Sequence, residues 1–194
     1  MISPTKKTTT ALLIAIAILA IAAYFSSFTN GFTHFDDQVQ ITENNDIIQL
    51  NWEKIKTIFS STYVGMYQPV STLFYGLLVG FFGMNPEVFH GFSFLLHLIN
   101  GCILFSIFKQ MNVKESVAVL LTALFVLHPM QVESVSWASA TSNVIFTFFY
   151  LWAFWNFIQY GRNKSFSTGT FVLFILACLS KATAVSFPVV IFFY

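Results

Sequence analysis

Charge is scarce in this chain: Asp, Glu, Lys and Arg together make up 9% of 194 residues, against roughly a quarter in an ordinary soluble domain. That scarcity excludes a water-soluble domain folded round one core. With a formal net charge of +1, no basic face for nucleic acid is evident either. Cysteine is nearly missing. Cys102 and Cys178 lie in apolar runs, where they read as small core residues and not as a disulfide or a metal pair. Zinc-ligand spacing, a phosphate-cradling glycine loop and a nucleophile elbow are all absent, which removes the common signatures of soluble enzymes. Apolar surface is what abounds, at 56% of residues with 25 phenylalanines. The chain reads as an all-α polytopic membrane protein.

Lys6 and Lys7 precede residues 11–28, an apolar run of about the length a first span needs. A cleaved secretory signal shares that layout. This run is longer than a usual signal core and further spans follow, so a retained helix is expected. Residues 29–86 form a polar outer loop. Within it, apolar and polar residues mix over 48–59 as in a short amphipathic helix, and Trp52, Tyr63 and Tyr67 suit a membrane interface. Residues 69–82 are apolar but short, as in an interfacial or re-entrant helix. Residues 87–194 hold the remaining spans, at about 86–108, 116–127, 144–160 and 168–179, with another starting at Val185. That last run is still apolar at Tyr194, so the chain is expected to be the N-terminal portion of something longer. The tally is about six transmembrane helices, with interfacial helices in the first outer loop. Lys6, Lys7, Lys109, Lys114, Arg162 and Lys164 all fall on one side, which the positive-inside rule makes cytoplasmic.

That topology sends Asp36, Asp37, His128, Glu133 and Lys181 to the opposite face, from three different outer segments. Adjacent carboxylates repel each other and demand water or a cation, so Asp36-Asp37 is either a solvated turn or a reactive site. A lone Lys181 between apolar runs must reach water or be compensated by an anion. His90, His97 and Gly101 share one face of a span, with Asn100 close by. They serve either hydrogen bonds between helices or contacts to a substrate. Acids, a histidine and a lysine beside lipid suit a reaction on a phosphate-bearing lipid. The cation would hold the phosphate and a carboxylate would accept a proton from the attacking group. Spacing does not say which aspartate is the base. Paired carboxylates also suit a hard divalent cation, but two ligands do not name a metal. Two rivals stand beside this reading. A transporter would line a midplane pathway with charge, whereas the charges here sit at loop boundaries; a membrane subunit without chemistry would tolerate loss of both aspartates.

Several local motifs point further. They are Phe35-Asp36-Asp37, Tyr67-Gln68-Pro69-Val70, Phe89-His90 with Leu95-Leu96-His97-Leu98-Ile99-Asn100, and Ser180-Lys181 before Ala184-Val185-Ser186-Phe187-Pro188. The most specific is Leu124-Phe125-Val126-Leu127-His128-Pro129-Met130-Gln131-Val132-Glu133-Ser134-Val135-Ser136-Trp137. On these, over Phe32 to Val190, the chain resembles the GT-C superfamily of polytopic glycosyltransferases. Within it, the resemblance is to the transmembrane O-mannosyltransferases that carry tetratricopeptide repeats after their membrane region. It departs from that pattern at Gln68, where the family has Arg, and at Ala140-Thr141-Ser142-Asn143, neutral where a basic-acidic stretch is common. The resemblance implies a GT-C-like bundle that transfers mannose, with inversion, from a polyprenyl-phosphate donor to a hydroxyl of an acceptor protein. Asp36 or Asp37 would be the general base, with Lys181 and His128 near the donor phosphate. Glu133, His90 and His97 are the further candidates for substrate contact. Short loops and a compact build favour a bacterial inner membrane over the endoplasmic reticulum, with the site on the extracytoplasmic face.

Overall fold

Long apolar runs become helices because a backbone shielded from water must satisfy its own polar groups. The computed structural model describes residues 6–161 and 167–194. Among them only helices and short helical turns occur, apart from one isolated bridge between Tyr63 and Met66. α1 (Lys6–Tyr24) is prolonged by a 3-10 turn at Phe25–Thr29. α2 (Trp52–Ser60) is capped by Asn51, whose side-chain oxygen accepts the Lys54 amide, and it presents Trp52 to the outside and Ile58 to the interior. α3 (Pro69–Phe82) and α4 (Pro86–Gln110) both open on a proline, where the missing amide costs nothing. Gly83, at a φ of 72°, makes the turn between them. α5 (Glu115–Leu127), α6 (Val132–Ser136), α7 (Thr141–Gly161), α8 (Thr168–Ser180) and α9 (Phe187–Phe193) follow.

Fewer helices than the expected six meet the length and composition that a membrane crossing needs. By length and composition, Lys6–Thr29 and Pro86–Gln110 are able to cross a membrane. The bent pair Glu115–Leu127 and Pro129–Ser136, at 46°, brings the described residues to three at most. The expected spans at α5 and α8 are short, and α7, although 21 residues long, falls outside the set on composition. α3, α5 and α8 hold 14, 13 and 13 residues, each about 20 Å of helix against a hydrocarbon layer of about 30 Å. The expected outer turn at 130–137 is itself helical: a 3-10 turn at Pro129–Gln131 runs into α6.

Polar side chains set the register between α4 and α7. Ser93 pairs with Thr141 at 2.5 Å, Asn100 Nδ2 donates to the Val144 carbonyl at 3.0 Å, and Trp155 Nε1 donates to Ser106 at 2.8 Å. Residue numbers rise together along both helices, so α4 and α7 run parallel, while α5 and α8 return antiparallel beside them. Two apolar clusters fill the bundle. One gathers Tyr75, Phe89, Ile145 and Ala177; the other gathers Ile16, Ala20, Phe94 and Val126. Gly101 brings α4 close to α5, since a Cβ there would lie 2.6 Å from a methyl of Val126.

The two ends of the bundle differ chemically. At one, Lys109 pairs with Glu115 at 3.0 Å and Thr9 donates to the same carboxylate at 2.5 Å, with Lys6 near it. Arg162 and Lys164, expected at this end, lie outside the described residues. At the other end the first outer segment, the α5–α7 connection and the C-terminus of α8 meet, and there the ionisable residues gather.

A charged cavity as the candidate site

Asp36 and Asp37 occupy a helical turn that leads into a π-helical stretch at Gln38–Thr42. Neighbours on a helix point about 100° apart, so the two carboxylates face different surroundings. Asp37 is fully buried. It accepts the Thr33 amide at 2.9 Å, the Thr33 hydroxyl at 3.1 Å and the Ser139 amide at 2.8 Å. Trp137 Nε1 donates to the same Thr33 hydroxyl at 3.0 Å. Asp37 thereby ties the first outer segment to the strap after α6.

Asp36, half-buried, turns instead to a cavity of about 120 Å³ that Gln40, Glu133, Trp137, Asn143 and Lys181 also line. Gln40 is held from behind by Gln68, whose Nε2 donates to it at 2.8 Å. Lys181 is the first residue past α8, whose last turn is anchored by the Ser71 hydroxyl donating to the Ser180 carbonyl at 2.9 Å. Its ammonium donates to Asn143 Oδ1. Burial pulls that ammonium below the usual lysine range, and the negative charge of Glu133 works against the shift. The cavity therefore offers one cation bound to a neutral amide, with carboxylates on two other segments. Such a set can hold a phosphate and accept a proton.

The expected residues separate in space. Asp36, Glu133 and Lys181 share the cavity; Asp37 lies beneath it. His128 is exposed at the end of α5 and its Nδ1 accepts the Met130 amide at 3.2 Å, a local cap away from the cavity lining. His90 is buried on α4 beside the Asn30 backbone, away from the cavity lining. His97 Nε2 donates to the Val126 carbonyl at 3.1 Å, and the ring borders a second cavity of about 250 Å³ that shares Asn143 with the first. Among the described residues no group of three His, Cys, Asp or Glu side chains could hold a metal ion.

Asn143, Trp137 and Gln40 were not among the residues expected from the sequence. The neutral stretch 140–143, a departure from the family's charged one, supplies much of the cavity wall. Its polar cluster at the mouth of an apolar helix was the available signal. Gln68, the other departure, stands one layer behind the wall.

These features define an all-helical membrane protein with a small charged cavity at one end of its bundle. Three known proteins are similar to it. The mouse protein O-mannosyl-transferase TMTC1 is 28% identical over 162 residues, 77% of this chain and 17% of its own length. Human TMTC1 is 28% identical over 166 residues, 77% of this chain and 18% of its own. Human TMTC3, another protein O-mannosyl-transferase, is 26% identical over 153 residues, 74% of this chain and 16% of its own. The resemblance that the motifs carry is thus to this group of transferases, and the chain spans less than a fifth of the length of these relatives. No family profile and no solved structure matches it.

Proposed function

We propose that the chain is the N-terminal part of a GT-C-like transmembrane domain, with interfacial helices in its 29–86 segment. It moves mannose from a polyprenyl-phosphate donor to a hydroxyl of an acceptor protein, on the extracytoplasmic face of a bacterial inner membrane or its equivalent. The observation that carries this reading is the meeting of Asp36, Glu133 and Lys181, from three separate segments, round one cavity. The named activity of the relatives supports the sugar and the acceptor class.

In this reading Asp36 is the general base, because it faces the cavity while Asp37 is spent on three hydrogen bonds. The acceptor hydroxyl gives its proton to Asp36 as its oxygen attacks the sugar C1. The C1–O bond to phosphate breaks on the opposite face, so configuration inverts. Lys181 stabilises the charge that the departing phosphate gains. Glu133 favours the charged form of the lysine. Arrangement at the end away from Lys6 and Lys109 supports an extracytoplasmic site. A divalent cation, if bound, would be held by Asp36 and Glu133 and would supply positive charge to the leaving phosphate.

Transfer of labelled mannose from polyprenyl-phosphate mannose to membrane protein tests the proposal. Asp36→Asn and Lys181→Gln are each expected to lower the rate about 10²-fold or more. Full transfer by Asp36→Asn would remove the base, and with it the assignment.

A further inference from the structure

The cavity next to the charged one is lined for a ligand that both gives and takes hydrogen bonds. It holds about 250 Å³ and meets its neighbour at Asn143, which is the space of roughly eight liquid waters. Among the described residues its lining has no Lys, Arg, Asp or Glu. Amides of Asn100 and Gln131, the Ser134 hydroxyl, the His97 ring, Phe125 and Phe146 are among the groups that line it.

Asn100 carries the argument. It is wholly buried, and its Nδ2 donates to the Val144 carbonyl at 3.0 Å, which fixes the direction of the amide. Its Oδ1 then has no partner among the described residues. A buried acceptor left unmatched is costly, and native structures rarely leave one. Other groups complement it. His97 Nε2 donates to the Val126 carbonyl, so on the neutral ring Nδ1 is a second acceptor. Ser134 accepts from Asn143 Nδ2 at 3.3 Å and keeps its own proton to give. The half-buried Gln131 amide forms no side-chain hydrogen bond among the described residues and offers both functions.

We infer that this cavity is the subsite for the sugar ring of the donor and that it selects a neutral hexose. The inference rests on the donor reading above and deepens it. Hexose hydroxyls supply the missing donors for Asn100 and His97, and accept from Ser134 and Gln131. The C–H faces of the ring meet Phe125 and Phe146. A uronic acid would bring a carboxylate with no cation to pair it, which a partly buried site penalises. The shared wall at Asn143, itself bonded to Lys181, joins the sugar cavity to the charged one.

Affinities of the purified full-length protein for polyprenyl-phosphate mannose and for sugar-free polyprenyl phosphate decide the matter. Wild type is expected to prefer the mannosyl lipid. Gln131→Leu and Asn100→Leu should each lose about tenfold of that preference while binding the sugar-free lipid unchanged. Gln131 is the safer position, since it supports no internal side-chain bond and its variant keeps the fold even where Asn100→Leu does not. Variants that retain the full preference, as a cavity filled only by water would give, overturn the subsite and leave the donor reading standing. A wild type that binds both lipids equally does the same. Equal binding of a uronic-acid donor overturns the selection for a neutral ring. A wild type that binds no polyprenyl phosphate overturns the donor reading, and the subsite falls with it.

Discussion

Replacing Asp37 with Ala strips the Ser139 amide of its acceptor in a buried setting and frees the Thr33 amide nearer the surface. A buried orphaned donor costs about 1–3 kcal/mol, so thermal unfolding in detergent is expected at a lower temperature. Asp36→Ala removes no such bond and is expected to unfold close to wild type. Equal stability of the two variants would contradict the division of labour between the neighbours. Lys181 makes a second prediction. Burial lowers its pKa from 10.5 against the pull of Glu133. Between the lowered value and 10.5 the unfolded chain binds more protons than the folded one, so stability rises with pH across that window. Below the window both states are charged and the burial penalty is carried in full. In the proposed mechanism transfer behaves oppositely: the cation assigned to the phosphate is lost as pH climbs through the lowered pKa. A pH–rate profile should therefore fall earlier than an exposed lysine predicts, and Lys181→Arg should move that limb towards alkaline pH. An alkaline limb that stays in place in Lys181→Arg would count against the role.

At the scale of elements, the helices were legible because their ends are punctuated. Pro69 and Pro86 open α3 and α4, Gly83 breaks the chain between them, and Asn51 and Asn85 cap by side chain. Which aspartate faces the cavity was not legible, because adjacency alone leaves the two equivalent. The difference comes from Ser139, 102 positions away. Asn143 was hidden for a similar reason: a neutral amide 38 residues from Lys181 carries no local mark of its partner. His128 drew notice through the His128-Pro129 motif, yet its position at a helix end makes it a cap for Met130. The expected spans at 116–127 and 168–179 were already short in the sequence, and α5 and α8 keep that length. Close packing gives this scale its test. Gly101→Ala would push a Cβ to 2.6 Å from a buried Val126 methyl, and overpacking of that kind costs about 1–3 kcal/mol. Thermal unfolding of Gly101→Ala reads the loss; unchanged stability would mean that α4 and α5 do not approach so closely.

Over the whole molecule, polarity is sorted by end. Lys6 and Lys109 gather round Glu115, and α4 alone carries the chain roughly 37 Å away from them at about 1.5 Å per residue. Asp36, Glu133 and Lys181 meet at the far end, beside the neutral cavity that His97 and Asn100 border. A transferase acting on a lipid-borne sugar requires that arrangement, since donor phosphate, base and sugar pocket must open together where the bilayer stops. Single cysteines placed at Asp36, Glu133, Lys181 and Lys109, with Cys102 and Cys178 replaced, test it through an impermeant maleimide on sealed vesicles of known orientation. The first three are expected to react from the extracytoplasmic side and Lys109→Cys from the cytoplasmic side. Labelling of any one of the three from the side of Lys109 would contradict a common reaction centre.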